Sequence, residues 1–563
     1  MTTMRATIPF ALAAAVLIAG CNSNSSSTPT TTATATASAA PTAQPSASLT
    51  ATPTLAPTPE VTPAATWNLY DQHTSYYELP YANPAPAFGS QMAGASLKVN
   101  TTICDGAQNC VSKVVALDTG SRGFWIPASD FTAVPSVVAT PGYIFYNSDG
   151  LQLQGYWTKL SVQFPDAVAE GGAPGQAVAS VPVLLVQKSC SLPGNWPEGS
   201  NPALKCVAPS GGQMGIGFDR TGYGTCPQGE PSPAPNQNPN MPSCAAYLAP
   251  APVPAANQDY NPFLNLSAMQ NGQMNAGYVL TPNGIELGLT EANTAPDPSL
   301  PAPGTYAFEK LVPTGLSQIV GSPSDWQPAT GFTTVNGLSY PAGQVVIDIG
   351  IGDMLIGPTS PIQFSTSVPN GDSVGINLLG LPAGTVGYSF VTGDGSNPLA
   401  PNGGVNYSPY QEIAYPGNAE QYAFSNTGID ALNGFNYLYD AQNGYIGLQL
   451  NSTNAAAFLT PTLAARGNLS FPDGFVTNLP VVLLGATVVS TSGTITLNGP
   501  VSGAGTFTIS GGTVKINCPS VVPQTIVAQG TLAIGSSLGG PVIAQNGASV
   551  EQTPNGNCGS LNP

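Results

Sequence analysis

The chain has 563 residues, of which 42% are hydrophobic and 7% are charged, and its formal net charge is −17. This length allows two or three domains, and the hydrophobic content is sufficient for a buried core. The excess of negative charge excludes the basic surface that nucleic-acid binding requires, so we expect no nucleic-acid partner.

Residues 1–20 have the features of a signal peptide. Arg5 supplies a positive charge, and an apolar stretch from Ile8 to Ile18 follows it. This stretch is too short for an ordinary membrane-spanning helix. It ends in Ile-Ala-Gly-Cys21, which resembles the lipobox of bacterial lipoproteins and implies cleavage before Cys21 and a lipid anchor on that cysteine. The alternative is a secretory signal followed by an ordinary cysteine.

Cys21 and residues 22–66 form the predicted tether. Residues 22–66 are almost entirely Ser, Thr, Pro and Ala, and such a segment cannot bury apolar surface, so we expect it to be disordered. By resemblance to Gram-negative sorting, Asn22 favours the outer membrane. The lipid would then hold the folded part in the periplasm or on the cell surface.

The cysteines after Cys21 are predicted to form disulfides, because an even number in an exported chain favours them. They are Cys104, Cys110, Cys190, Cys206, Cys226, Cys244, Cys518 and Cys558. Their spacing suggests neighbour pairs (104–110, 190–206, 226–244 and 518–558), with other connectivities open. The chain has no CxxC pair and a single histidine, His73, which argues against a zinc site and against histidine-dependent hydrolases. We therefore predict no metal and no other cofactor.

From Trp67 onward the pattern predicts an all-β fold. Pro, Gly and Asn recur between short apolar runs, and no long stretch has the 3.6-residue period of a helix. Three segments predict hairpins: residues 145–164, Asn275–Thr290 and Gly434–Leu448. Residues 221–262, rich in Pro and Asn, are predicted to be a long insertion.

The segment Val114–Pro127, VVALDTGSRGFWIP, combines a buried strand with a polar turn. Asp118 ends the apolar run, where a carboxylate is costly unless hydrogen bonds surround it. Gly120 allows the backbone amides to come close, and Ser121 can donate to the carboxylate. These residues are suited to hold a catalytic carboxylate in place. The alternative is an ordinary strand followed by a turn.

A second stretch repeats the pattern. Gln344–Pro361 reads QVVIDIGIGDMLIGPTSP, in which an apolar strand leads to Asp348 and then to Gly350. Two strand-Asp-x-Gly units in one chain suggest two similar lobes that bring their carboxylates together.

These motifs resemble those of the pepsin-like aspartic peptidases. The first motif matches through Asp118-Thr-Gly-Ser121 and through Trp125, seven residues after the aspartate. Tyr146 matches the flap tyrosine, which in that family bonds to the tryptophan. Gly212–Phe218 and Gly428 match the apolar-apolar-Gly motifs beneath the active-site loops, although Gln213 and Asn426 are polar departures from them.

The resemblance implies a two-lobed fold with lobes at about 67–262 and 263–450. Asp118 and Asp348 would share one proton and activate water for general acid-base hydrolysis of a peptide or protein bound in the cleft. Thr119, Gly120, Ser121 and Gly350 would support them. Which aspartate starts protonated is left unassigned, because the pair titrates as a unit.

Ile349 and Ile351 depart from the family pattern, which has hydroxyl residues there. In the family, the residue after each aspartate bonds across to the other loop, so Ile349 removes one of two reciprocal bonds. Two hypotheses follow: a lipid-anchored aspartic endopeptidase, or an inactive surface module of the same fold that binds peptide or glycan.

Residues 451–563 differ from the rest of the chain. Ser492–Ile516 alternates small polar and apolar residues with glycines at the breaks, and Gly530–Ile534 repeats this pattern. The pattern resembles the β-solenoid repeats of autotransporter passenger domains. We expect it to cap or dock on the lobes; a small irregular β-sandwich is the alternative.

Overall fold

The structure is a computed structural model that describes residues 69–82, 88, 96–106, 109–131, 140–146, 151–170, 172, 177–191, 205–218, 260–314, 325–339, 343–357, 368–369, 371–392, 412–414, 424–451, 456–553 and 558. The predicted signal peptide, the tether with Cys21, the flap turn, most of the insertion and the Cys226–Cys244 pair lie outside these residues.

The described ranges are nearly all β, as predicted. Their helices are short, with three to five residues each. These are α1 (Ser267–Gln270), α2 (Glu291–Thr294) and the 3-10 helices Ala128–Asp130, Pro262–Leu264 and Ile429–Asn433. Across the same ranges, no helix is long and apolar enough to cross a membrane.

The first part of the described chain forms a sheet of eight strands, which we call sheet 1. The strands of this part are β1 (Tyr77–Leu79), β2 (Lys98–Cys104), β3 (Cys110–Asp118), β4 (Arg122–Pro127), β5 (Thr140–Tyr146), β6 (Leu151–Phe164), β7 (Val168–Ala169), β8 (Ala177–Ser191), β9 (Lys205–Val207) and β10 (Gln213–Ile216). Sheet 1 has the order β5-β6-β2-β3-β10-β4-β8-β9, whereas β1 and β7 belong to the third sheet described below. Disulfides join neighbouring strands within it, Cys104 to Cys110 between β2 and β3 and Cys190 to Cys206 between β8 and β9.

The next part forms a sheet of nine strands, sheet 2. The strands of this part are β11 (Gly277–Thr281), β12 (Gly284–Leu287), β13 (Ala307–Lys310), β14 (Ala329–Val335), β15 (Leu338–Ser339), β16 (Gly343–Val346), β17 (Met354–Gly357), β18 (Ser373–Asn377), β19 (Val386–Val391), β20 (Glu412–Ala414), β21 (Phe424–Asn426), β22 (Phe435–Asp440), β23 (Tyr445–Leu450) and β24 (Ala457–Leu459). Sheet 2 has the order β20-β17-β21-β16-β14-β18-β19-β24, with β15 paired to β14. The other strands of this part, β11, β12, β13, β22 and β23, belong to the third sheet.

A third sheet, sheet 3, contains the two hairpins predicted around Pro-Asn-Gly and at Gly434–Leu448. β11 pairs with β12 and with β22, and β22 pairs with β23. Successive side chains of its strands point alternately into two hydrophobic cores. Tyr278 and Leu280 pack into the core shared with sheets 1 and 2, whereas Val279 and Leu438 pack on the opposite side with residues of the C-terminal region.

The C-terminal region is a β-solenoid, and all of its strand pairs are parallel. Its strands are β25 (Leu463–Ser470), β26 (Val476–Thr477), β27 (Val481–Ser490), β28 (Thr494–Leu497), β29 (Val501–Gly503), β30 (Phe507–Ile509), β31 (Thr513–Ile516), β32 (Ser520–Val521), β33 (Thr525–Val527), β34 (Thr531–Ile534), β35 (Leu538–Gly539), β36 (Val542–Ala544) and β37 (Ser549–Gln552). Val476 pairs with Thr496, and Thr494 pairs with Thr513, which pairs with Thr531, so successive coils start 18 to 20 residues apart.

Side chains at equivalent positions of successive coils stack on one another. Ile495, Val514 and Leu532 form a column that is almost wholly buried. The amides of Asn478, Asn498 and Asn517 form a hydrogen-bonded ladder at one corner, with distances of 3.0 and 2.8 Å. Repetition every coil, with parallel pairing throughout, excludes the irregular sandwich.

The solenoid joins the rest of the fold through the main chain. β25 pairs in parallel with β13, so sheet 3 continues into the solenoid. Beside this junction, the buried Lys310 amine lies 4.6 Å from the ring centre of Tyr445, and burial lowers its pKa to about 8. The Asp440 carboxylate accepts a hydrogen bond of 2.8 Å from Tyr70, which fixes the start of the described chain.

Candidate active site

The two aspartate loops occupy equivalent places in sheets 1 and 2. In sheet 1 the loop joins β3 to β4, and β10 runs between these strands, parallel to β3 and antiparallel to β4. In sheet 2 the loop joins β16 to β17, and β21 runs between them in the same directions. The registers also agree, since Gln213 pairs with the residue two before Asp118 and Asn426 with the residue two before Asp348.

Asp118 is buried and accepts hydrogen bonds from three donors. The Gly120 amide donates to its Oδ1 at 2.7 Å, and Ser121 Oγ donates to its Oδ2 at 2.5 Å, as the sequence predicts for Ser121. Gln213 Nε2 also donates to Oδ2. These three donors hold the carboxyl group of Asp118 in one orientation.

Asp348 has a similar but smaller set of donors. The Gly350 amide donates to its Oδ1 at 2.8 Å, and Asn426 Nδ2 donates to its Oδ2 at 2.7 Å. Ile351 stands at the position equivalent to Ser121 and has no hydroxyl to donate. The side-chain amide of Asn426 therefore occupies the role that a hydroxyl has in the first loop.

The loops approach so closely that each needs a glycine opposite the other aspartate. A Cβ atom added to Gly120 would lie 2.2 Å from Asp348 Oδ2. One added to Gly350 would lie 2.6 Å from Asp118 Cγ. Any side chain at either position would collide with a carboxylate, so the pair of glycines allows the two acids to face each other.

Thr119 connects the two loops. Its hydroxyl donates to the Ile347 carbonyl and accepts from the Ile349 amide at 3.0 Å. The side chain of Ile349 is fully buried and has no group that could make the reciprocal bonds. The side-chain link expected from a second hydroxyl is therefore missing, and Thr119 makes the connection from one side.

The electrostatics of the pair are asymmetric. Burial raises the pKa of Asp348 well above its usual value, and the neighbouring Asp118 carboxylate raises that pKa further. Hydrogen bonds from Asn426 and the Gly350 amide act in the opposite direction. A proton shared by the two groups is therefore favoured on Asp348.

A hairpin of sheet 1 lies beside Trp125. The hairpin consists of β5 and β6, and Trp125 Nε1 donates to the Tyr146 hydroxyl at 3.0 Å, which is the bond that the resemblance implies. The side chains of an apolar cluster pack around this point: Trp125, Ile144, Leu153, Trp157, Leu184 and Val186.

The sequence-predicted residues divide into two groups. Asp118, Asp348 and their supporting residues come together, whereas the paired cysteines Cys104, Cys110, Cys190, Cys206, Cys518 and Cys558 form disulfides away from the loops. In the described part of the chain, no group of three or more His, Cys, Asp or Glu residues could hold a metal ion.

Sequence reasoning missed the two carboxamides as functional residues. Gln213 and Asn426 interrupt motifs that are normally apolar, and were interpreted as departures from them. The signal that could have identified them is their common position, two residues before Gly215 and two before Gly428.

Neither a scan against protein-family models nor a search of curated proteins gives a match to this chain.

Proposed function

We propose that the chain is an aspartic endopeptidase with the two-lobed pepsin-like fold, anchored to the outer membrane of a bacterium through a lipid on Cys21. The observation that carries the proposal is the approach of Asp118 and Asp348 from two equivalent loops. The repeated arrangement of two strands with a third between them, once in each sheet, supports the two-lobed interpretation.

The asymmetry of the pair assigns the roles. Asp118, which three donors hold in place, is the general base and removes a proton from a bound water molecule as the water attacks the scissile carbonyl carbon. Asp348, whose pKa is raised, donates its proton to the carbonyl oxygen. The tetrahedral intermediate collapses when Asp118 passes the proton on to the leaving amine and Asp348 recovers its own. No covalent enzyme intermediate forms.

The substrate that fits this site is an extended peptide. A peptide lying across the loops would place its backbone between the aspartates and the β5–β6 hairpin, with Trp125 and Tyr146 at one side. Tyr146 and Leu151, which are partly buried and pack against the apolar cluster, favour a peptide with an apolar side chain next to the cleaved bond.

Peptide cleavage tests the proposal. We would incubate the mature protein, in detergent, with a mixed peptide library from pH 3 to pH 8, with and without a pepstatin-type inhibitor. Asp118→Asn is the test variant, and Asp473→Asn, an exposed residue of the solenoid, is the matched control. We expect inhibitor-sensitive cleavage in acid that Asp118→Asn abolishes and the control retains. Folded protein that cleaves nothing at any pH would refute the proposal.

A second function is favoured by Ile349 and Ile351. The loss of one cross-loop hydroxyl and of one donor beside Asp348 would suit an inactive module that binds peptide or glycan in the cleft. Such a module would bind without cleavage, and Asp118→Asn would leave its affinity unchanged.

A further inference from the structure

We propose that Gln213 and Asn426 are positioning residues of the aspartate pair, and that Asn426 replaces the hydroxyl that Ile351 lacks. We call these two residues the carboxamide pair. The consequence for catalysis rests on the proposed function, but the test below does not need catalysis.

Strand register shows that the carboxamide pair is equivalent in the two sheets. Gln213 in β10 pairs with Trp125, seven residues after the first aspartate. Asn426 in β21 pairs with Leu355, seven residues after the second. Each side chain donates to Oδ2 of the aspartate in its own sheet. Two independent polar departures from an apolar motif therefore converge on the same atom of the two acids.

The orientation of Asn426 is set by its other hydrogen bond. The Gly428 amide donates to Asn426 Oδ1 at 3.0 Å, so the NH₂ group must point toward Asp348. An amide nitrogen can donate but cannot accept, whereas a hydroxyl can do both. Asn426 therefore requires an acceptor at Asp348 Oδ2 and fixes the carboxyl group in one orientation.

The carboxamide pair should act on different titration steps. Gln213 adds a donor to Asp118, which already accepts from Ser121, so it affects the acidic step, in which the pair as a unit gains its second proton. Asn426 donates to Asp348, the acid that holds the first proton. It therefore affects the alkaline step, in which the pair loses that proton.

Few other charges bear on these steps. Asp118 is the charged group that faces Asp348. The remaining ionisable side chains on the strands and loops of the two units and on the short helix Ile429–Asn433, within the described residues, are Lys113, Arg122, Asp353 and Asp430. The variants below leave these residues unchanged.

The experiment is an infrared difference titration of the protonated carboxyl band in the mature protein, with Asp348→Asn to assign the band. The free energy of a hydrogen bond to a charged group is equivalent to a pKa change of about one unit. Asn426→Leu should therefore move the alkaline step upward by about one pH unit, and Gln213→Met should move the acidic step upward by a similar amount. Adding Ile351→Ser to Asn426→Leu should return the alkaline step toward its original position.

A matched control is Asn436→Leu, which removes a buried asparagine of β22 whose amide bonds to Gln449 at 3.0 Å, and it should move neither step. If Asn426→Leu does not fold, Asn426→Asp keeps an acceptor for the Gly428 amide and should move the alkaline step upward further.

An unchanged alkaline step in the folded Asn426 variants would overturn the proposal, as would a failure of Ile351→Ser to reverse the shift. The predicted shifts in a protein that cleaves no peptide would refute the proposed function and leave the roles of the carboxamide pair supported.

Discussion

Thr119 is the residue whose removal tests most sharply how the two loops are held together. Thr119→Val keeps the shape of the side chain and removes its hydroxyl. The Ile347 carbonyl loses a donor and the Ile349 amide loses its acceptor, and both bonds are buried. Because Ile349 carries no hydroxyl, the second loop has no reciprocal hydroxyl bond that could take over.

The expected loss follows from these two bonds. A buried backbone group that loses its partner costs about 1–3 kcal/mol, so two such groups give about 2–6 kcal/mol of destabilisation. Thr101→Val is the matched control, because the buried Thr101 hydroxyl donates to a single backbone carbonyl, that of Lys113, at 2.9 Å. The control loses one such bond and should therefore cost about half as much.

Urea unfolding of the two variants measures this difference directly. We expect a lower midpoint for Thr119→Val than for Thr101→Val, together with a greater loss of any peptide cleavage, since catalysis is sensitive to small displacements of its groups. Ile349→Thr, which restores a hydroxyl to the second loop, should raise the midpoint. Equal midpoints for the two valine variants would refute the view that the Thr119 hydroxyl holds the two loops together.

Three further predictions concern the rest of the fold. Burial, and then the Glu78 carboxylate, raises the pKa of Glu286 to about 7. The contribution of protonated Glu286 to the free energy of unfolding, at most about 3 kcal/mol, is therefore complete below about pH 4.5 and is lost as the pH rises through 7. In Glu286→Gln the unfolding midpoint should change less with pH over that range; a pH dependence equal to that of the wild type would contradict this. Tyr70→Phe should lower the free energy of unfolding by about 1.5–3 kcal/mol, because Asp440 loses a donor, and hydrogen exchange in β22 should increase. Cys558→Ala opens a disulfide that closes 40 residues and should destabilise the solenoid by about 2–4 kcal/mol in calorimetry; a melt identical to the wild type would show that the crosslink is dispensable.

Features that depend on a few adjacent residues could be predicted from the sequence. The strand and turn around Asp118, and the hairpin at Asn275–Thr290, follow from local apolar runs and turn residues. Three of the four predicted cysteine pairs are present, and the fourth lies outside the described residues. The parallel coils of the C-terminal region could be predicted because each coil repeats its own pattern.

Features that depend on distant partners could not be predicted. Gln213 meets Asp118 across 95 residues, and Asn426 meets Asp348 across 78, through registers that no local pattern specifies. The same is true of the pairing of β25 with β13, which makes the solenoid continuous with sheet 3 where only capping or docking was expected. The raised pKa of Asp348 likewise depends on burial that only the folded chain produces.

The most direct test of the central claim is the rate of cleavage of one susceptible peptide by the wild type, Asp118→Asn, Asp348→Asn and Asp473→Asn at a single acidic pH. If the two acids work as a pair, each of the first two variants should lose at least about a hundredfold in kcat, and Asp473→Asn should match the wild type. Cleavage that survives either change at Asp118 or Asp348, in folded protein, would show that the paired carboxylates are not the catalytic groups.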